Sequence, residues 1–429
     1  MRRATGFKKH LVTLVSGNIV AQVITFAASP LLTRMYTPEQ FGEYAAFISL
    51  VSILAVVLGL SFEKCIPLAL NDKVAGQITV LCLELAGGIT VILFAIYCLF
   101  GWSLVATFVG RTSVWIEISF CFSIFCASAA QSLNFWHIRV QRFTSISRAK
   151  IGQSAVNVVT QIGLSGMRNW SSVGLQFGDT AGRFAAAWMQ FWSFARYHRV
   201  RGVWRTKPWN RYIWQKFYRY PLYTSFSVLL NAVALQMPVL LLGKFFSTAV
   251  SGNFMLTQKM VGIPITIIAT ALAQVFYSEA SRHIRKEPNK VLFLYKKITR
   301  TLFLVAVVPF AIVAFFGPAL FEWLFGAGWE TSGEYLQILA VAFLAQLVVL
   351  PVSQVLYITD NQLVQIGWDA CRFVSFFLVF WLASAHGLSA KSTLLLYAIV
   401  AMAYYAALYL LGLYFIKRKI TCRKEAIWT

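Results

Sequence analysis

Acidic side chains are scarce in this sequence. Asp and Glu number 15 in 429 residues, against 38 Lys and Arg, and charged residues of both signs make up only 12%. A soluble chain carries roughly twice that share, so a soluble globular fold lacks the charged shell it would need. Few acids also leave little for the metal and sugar-nucleotide site of a membrane glycosyltransferase. The sequence has no G-x-x-x-x-G-K-[ST] run for a nucleotide-driven pump and no H-E-x-x-H. Its five histidines (His10, His137, His198, His283, His386) are scattered and mostly in loops, and no Ser-His-Asp set follows from spacing. Cysteines are few and none forms C-x-x-C: Cys65, Cys82, Cys98, Cys121, Cys126, Cys371 and Cys422 mostly fall in apolar runs. They read as small core residues, not as disulfides or ligands. No enzyme, no metal and no cofactor is expected.

Long apolar runs are what the sequence has in quantity. Hydrophobic residues make up 59%, aromatics 16%, with 14 Trp and 36 Phe, and the mean hydropathy is +0.67. A membrane span needs ~20 apolar residues at 1.5 Å of rise each. Runs of that kind predict spans at 11–33, 41–62, 77–99, 114–136, 151–167, 171–194, 221–243, 252–278, 301–324, 335–358, 363–384 and 392–415. The fold class is therefore an all-α polytopic membrane protein of about twelve helices. The fifth run, Ile151 to Met167, is short and carries Gln153, Asn157 and Gln161. A polar face of that kind points into a bundle rather than at lipid. Arg2, Arg3, Lys8 and Lys9 precede the first run as in a signal peptide, but the run continues to Leu32 with no small-x-small cleavage site. We expect a retained first span.

The formal net charge of +23 would point to nucleic acid on a soluble chain. Here the cations sit in short loops, where they set topology and meet anionic membrane lipids, and no nucleic acid is expected. With a cytoplasmic N-terminus, 30 of the 38 Lys and Arg fall on the cytoplasmic side and five (Arg34, Arg111, Arg168, Lys244, Lys391) outside. That bias predicts both termini inside the cytoplasmic membrane's inner face. The longest basic loop, Ala195 to Tyr220, divides the chain into residues 1–194, a linker at 195–220, and residues 221–429, six spans in each half. Two six-helix lobes around a midplane cavity are a natural transporter architecture.

The run Ser29-Pro30-Leu31-Leu32-Thr33-Arg34-Met35-Tyr36-Thr37-Pro38-Glu39-Gln40-Phe41-Gly42 resembles the first inter-span motif of Wzx-type polysaccharide transporters, with Arg34, Pro38 and Gly42 at motif positions. Leu60-Ser61-Phe62-Glu63-Lys64-Cys65-Ile66-Pro67 is similar to the next family segment and places Glu63 in it. The family's arginine before the aromatic-Glu pair is Ser61 here. Phe325-Gly326-Ala327-Gly328-Trp329 with Gly333-Glu334-Tyr335-Leu336, and Gln274 to Glu279, also resemble family segments.

The resemblance implies the multidrug/oligosaccharidyl-lipid/polysaccharide (MOP) exporter fold and alternating access. It implies an undecaprenyl-pyrophosphate-linked oligosaccharide as substrate, carried to the periplasmic leaflet of a bacterial inner membrane for O-antigen, capsule or exopolysaccharide. A polysaccharide polymerase and a chain-length regulator are the implied partners, and coupling to an H+ or Na+ gradient is compatible with it. A small-molecule antiporter of the same fold, like the MATE exporters, is the competing reading.

Ionisable groups at span depth cost ~2.5–3.5 kcal/mol on insertion scales, so each needs a partner, water or a function. Asp179 and Arg183 lie at i,i+4, and Asp369 and Arg372 at i,i+3, each placed for neutralisation within one helix. Lys259 has no acid within four residues on either side. It is placed either to snorkel or to meet a pyrophosphate in a wet cavity. Glu84 likewise has no basic neighbour at three or four residues. It reads as a neutral core acid or as a coupling site, with Asp369 and Asp179 the other coupling candidates. A cation exporter lines its cavity with acids and a pyrophosphate carrier with Lys and Arg, so Lys259, Arg183 and Arg372 favour an anionic substrate.

The topology is testable by labelling. A single cysteine at Trp204, in a background without native cysteines, should resist an impermeant thiol reagent in intact cells and react after permeabilisation. Labelling from outside would overturn the orientation.

Overall fold

A computed structural model describes the backbone of residues 2–101, 103–109, 113–167, 173–201, 211–218, 220–284, 287–359 and 362–428. Arg111, Arg168 and much of the Ala195–Tyr220 loop, Trp204 included, lie outside the described residues. The helices in chain order are α1 (Arg2–Met35), α2 (Pro38–Leu58), α3 (Asp72–Phe100), α4 (Leu104–Val109), α5 (Val114–Arg139), α6 (Phe143–Ser165), α7 (Gly174–Arg201), α8 (Arg211–Phe217), α9 (Ser225–Phe245), α10 (Thr248–His283), α11 (Pro288–Phe325), α12 (Glu330–Val349), α13 (Val355–Ile358), α14 (Gln362–Ala385) and α15 (Ala390–Trp428). No strand occurs among the described residues.

Twelve of these helices have 20 residues or more, and they follow the twelve apolar runs in order. Ten contain a stretch long and apolar enough to cross a membrane. The other two, α6 and α7, are 23 and 28 residues long. They carry more polar and charged side chains, among them Gln153, Asn157 and Gln161 on α6 and Gln176, Asp179 and Arg183 on α7.

Local chemistry sets the helix starts. Thr37 and Gln40 form a capping box, with Pro38 as the first helical residue of α2, an arrangement worth about 1 kcal/mol. Asn71 caps α3 through Val74 N–H, Ser113 caps α5 through Ile116 N–H, and Gly101 closes α3 at φ +63°. The α2–α3 connection turns at Leu60 and Ser61, both with positive φ, into a 3-10 turn at Phe62–Leu68. Arg139 holds that turn. Its guanidinium donates to the carbonyls of Ile66, Pro67 and Ala69 at 3.2, 3.0 and 2.9 Å and to Asp72 at 3.2 Å.

The chain forms two compact units, Met1–Gly252 and Asn253–Thr429. In the first, α6 packs against α1 and α7, α5 against α3 and α7, and α9 against α2. Ser49 on α2 donates to Gln236 on α9 at 3.3 Å, so the seventh span packs within this unit. The described part of the basic segment is helical. Ile213 and Phe217 of α8 are buried with Phe62, Cys65, Trp136 and Phe194. In the second unit α11 packs on α12, and α12 on α15. The core there includes Phe276, Tyr295, Val355, Leu356 and Phe415.

Three sequence readings change. Cys98 and Cys371 are exposed rather than core residues, whereas Cys65, Cys82, Cys121 and Cys126 are buried. His137 is not in a loop but fully buried on α5, its Nε2 3.2 Å from the Gln190 carbonyl oxygen. Glu84 is exposed on α3 and is not a core acid.

The close approach of α6 and α7 rests on glycine. A Cβ at Gly178 would sit 2.3 Å from Gln161 Cγ, and one at Gly182 would sit 2.7 Å from the Gln153 carbonyl oxygen. The four-residue spacing puts both glycines on one face of α7, the small-xxx-small contact of packed membrane helices. Gly182→Val should destabilise the protein by about 1–3 kcal/mol through overpacking. Gly163→Ala, where a Cβ meets nothing within 4 Å, should be neutral or stabilising. Thermal unfolding of the purified variants, followed by tryptophan fluorescence, checks the contrast. Equal midpoints for both variants would contradict the packing argument.

Candidate functional site

Each unit carries its own set of intramembrane polar groups. In the first unit they gather where α6 and α7 meet α2 and α5. Asn157 and Gln161 on α6 face Tyr44 of α2. Gln161 anchors two neighbours: its carbonyl accepts from Tyr36 hydroxyl at 2.6 Å, and its Nε2 donates to the Leu175 carbonyl at 3.1 Å. One turn along α7, Arg183 Nε donates to Asp179 Oδ2 at 2.5 Å, as the i,i+4 spacing predicts. Thr180 bridges to Ser119 of α5 at 2.8 Å. Gln176 is also buried here, with neither side-chain polar atom hydrogen-bonded within the protein. An unpaired buried amide costs ~1–3 kcal/mol, so Gln176 has donor and acceptor capacity that the protein does not use.

In the second unit Arg372 lies 3.6 Å from Asp369 Oδ1 on α14. Its guanidinium stands over the Tyr404 ring at 5.5 Å, and Tyr404 hydroxyl reaches Asp369 at 3.4 Å. Trp368 stacks on Tyr404 at 5.1 Å, and Phe376 packs edge-on to Tyr397 at 4.8 Å. Arg372 is thus held by an acid and an aromatic face together.

Lys259 differs from both arginines. It lies eleven residues beyond the start of α10 at Thr248, ~16 Å along the helix axis. Its side chain is half-buried and makes no hydrogen bond or ion pair among the described residues. The helix begins four residues earlier than the apolar run suggests, so the ammonium lies about one turn further from the start of its helix than from the start of that run.

The motif positions prove to be turn and contact residues. Arg34 is exposed in the last turn of α1, where a cation complements the helix dipole. Pro38 starts α2. Gly42 is buried where a Cβ would fall 1.7 Å from the Thr248 carbonyl oxygen. Glu63 is buried in the 3-10 turn and accepts from Gln131 Nε2 at 3.1 Å, and burial raises its carboxyl above the ordinary carboxylate range. Sequence reasoning counted Arg139 only as a loop cation. Its hold on three carbonyls leaves no spacing signal, since the partners lie about 70 residues away.

Among the described residues no three His, Cys, Asp or Glu side chains converge as metal ligands. The arrangement offers paired arginines, one unpaired ammonium and buried amides and hydroxyls.

The fold is shared with solved transporters of the MOP superfamily. A multidrug resistance MATE family transporter of that superfamily in its inward-facing conformation superposes with a TM-score of 0.62 at 16% identity, over 93% of this chain and 96% of the other. An outward-facing MATE family transporter gives 0.59 at 15% identity, over 96% and 97%. A MOP superfamily transporter from Pyrococcus furiosus, described as having a binding pocket of reverse polarity that suggests a different function, gives 0.59 at 15% identity, over 96% of each chain. No curated protein sequence matches. The family profile described as "Polysaccharide biosynthesis protein" matches residues 31–334. This chain belongs to that family, and it is a multi-pass membrane protein with the MOP fold.

The two arginine pairs differ in burial, and so should their mutants. Asp179 is 7% exposed and Asp369 38%. Arg183→Ala orphans a buried carboxylate and should cost about 3–5 kcal/mol, most of it recovered by adding Asp179→Asn. Arg372→Ala leaves a partly exposed acid that Tyr404 still contacts, and should cost less than Arg183→Ala. Melting midpoints in detergent check the order, and a larger loss for Arg372→Ala would reverse the assignment.

Proposed function

We propose that the protein is a flippase. It carries an undecaprenyl-pyrophosphate-linked oligosaccharide from the cytoplasmic to the periplasmic leaflet by alternating access, in the synthesis of a surface polysaccharide. Membership in the polysaccharide biosynthesis family supports a substrate of this class. The observation that carries the reading is Lys259, an unpaired ammonium well inside α10. Attraction between unit charges grows as the effective dielectric falls. A fixed cation at that depth therefore lowers the cost of bringing a pyrophosphate into the membrane, and the pyrophosphate lowers the cost of the cation. Arg183 and Arg372 add positive charge in each unit but are largely neutralised by their acids.

The same neutralisation weighs against export of cationic drugs, which needs uncompensated carboxylates. Asp179 and Asp369 each sit against an arginine. The P. furiosus neighbour, described as having a pocket of reverse polarity that suggests a different function, supports the view that one fold serves more than one function. We assign coupling to an H+ or Na+ gradient to Asp369, Asp179 or Glu84. The orientation proposed is both termini in the cytoplasm of a cell with an inner membrane.

Complementation of surface-glycan display in a flippase-null strain tests the reading, with membrane levels of each variant followed by immunoblot. Lys259→Ala should abolish most display at normal expression. Lys259→Arg should keep part of it, because the charge persists while its geometry changes. Full display by a well-expressed Lys259→Ala would show that this lysine only snorkels.

A further inference from the structure

A second basic site lies away from these groups. It is a cavity of about 610 Å³ where the first turns of α6 meet the last third of α7. Arg142, Arg148 and Arg196 line it together with Ser145, Ser193, Trp188 and Trp192. The lining contains no acid. Arg139 is committed to Asp72 and the carbonyls of the 3-10 turn, whereas the three cavity arginines form no ion pair among the described residues. Two of them are steered by aromatic faces: Arg142 stands over Tyr197 at 5.2 Å and Arg196 over Trp192 at 5.4 Å. The start of α6 adds a second source of positive potential. Arg142 occupies its N-cap without a side-chain cap, its carbonyl accepting from Ser145 N–H at 3.1 Å, and the positive end of the helix dipole lies beside the cavity.

The cavity opens onto an apolar row. Trp192 stacks on Trp188 at 6.2 Å, Trp188 is tilted against Phe184 at 6.1 Å, and Phe184 lies 5.6 Å from Phe122 of α5. All four rings are among the exposed hydrophobics, at 41–53%. Phe184 to Trp192 is two turns of helix, ~12 Å. The row runs away from the arginines, toward the middle of the span. Guanidinium groups at one end and a strip of bare aromatic surface at the other match a phosphate headgroup with a hydrocarbon chain.

We infer that this cavity is a binding site for an anionic phospholipid of the leaflet that the basic loops face. Arg142, Arg148 and Arg196 hold the phosphate by charge-assisted hydrogen bonds. Trp192, Trp188, Phe184 and Phe122 carry an acyl chain. That this leaflet is the cytoplasmic one rests on the orientation proposed above; the site itself does not. A polyprenyl pyrophosphate shares the headgroup chemistry, and the experiment separates the two sources.

The full-length protein is purified in a mild detergent, stripped of lipid and titrated with phosphatidylglycerol, phosphatidylcholine or undecaprenyl pyrophosphate under native mass spectrometry. Wild type should retain one phosphatidylglycerol at concentrations where phosphatidylcholine is not retained. The Arg142→Gln/Arg148→Gln/Arg196→Gln variant should need at least tenfold more phosphatidylglycerol for the same occupancy. All three positions are exposed, so the fold should survive. Arg196→Gln alone, with a severalfold loss, is the second variant. Trp188→Ala/Trp192→Ala should weaken retention of long-chain phosphatidylglycerol more than of a short-chain form. Identical titrations for wild type and both arginine variants would overturn the site. Retention of undecaprenyl pyrophosphate with none of phosphatidylglycerol would overturn the phospholipid assignment.

Discussion

The close contact of α6 with α7 is the constraint on which the first unit depends. Inside a bilayer, apolar burial does not draw helices together, because lipid is as apolar as leucine. Packing and internal hydrogen bonds must do it. Gly178 and Gly182 let the α7 backbone approach α6 to within contact of the Gln153 and Asn157 carbonyl oxygens. That approach lets Gln161 tie Tyr36 of the α1–α2 turn to Leu175 at the start of α7. It also places Asp179 and Arg183, which flank Gly182 on α7, in a polar interior where each neutralises the other. The two helices that look least like membrane spans are thus the ones around which their neighbours organise.

Legibility followed the physics of each signal. Spans were readable because a helix of ~20 apolar residues matches the thickness of the hydrocarbon core and is rare in water-soluble folds, and their order survived intact in the twelve long helices. The inward face of α6 was readable from Gln153, Asn157 and Gln161, since a spacing of four fixes a helical face. The two Asp–Arg pairs were readable for the same reason. What a period cannot give is the neighbour. Glu84 looked like a core acid from its place in an apolar run, but that run has an exposed face and Glu84 is on it. Cys98 and Cys371 fail in the same way. Arg139 and His137 fail in the opposite sense, since their partners come from distant segments: Ile66 to Asp72 for one, Gln190 for the other.

The family motif acquires a physical meaning at Tyr36 to Gly42. Thr37, Pro38 and Gln40 fix where α2 starts, Tyr36 fastens the turn to α6, and Gly42 allows the Thr248 carbonyl to touch the α2 backbone. None of these residues offers substrate chemistry. The motif identifies the fold because it builds a tight turn between the first two helices. The residues to which we assign substrate recognition lie elsewhere, on α7, α10 and α14.

The basic residues separate into kinds by what neutralises them. Arg139 is consumed by backbone carbonyls and one acid, so its charge serves the fold. Arg183 and Arg372 are consumed by acids on their own helices. Arg142, Arg148 and Arg196 face an open cavity rimmed by bare tryptophan, and Lys259 faces no acid among the described residues. A cation in a low-dielectric setting without a protein counter-charge leaves that position for a mobile anion or for water to fill. The charge left uncompensated inside α10 and at the α6–α7 end therefore marks where anions are to be sought. The net charge of +23 does not, because most of it lies in loops where solvent and headgroups screen it.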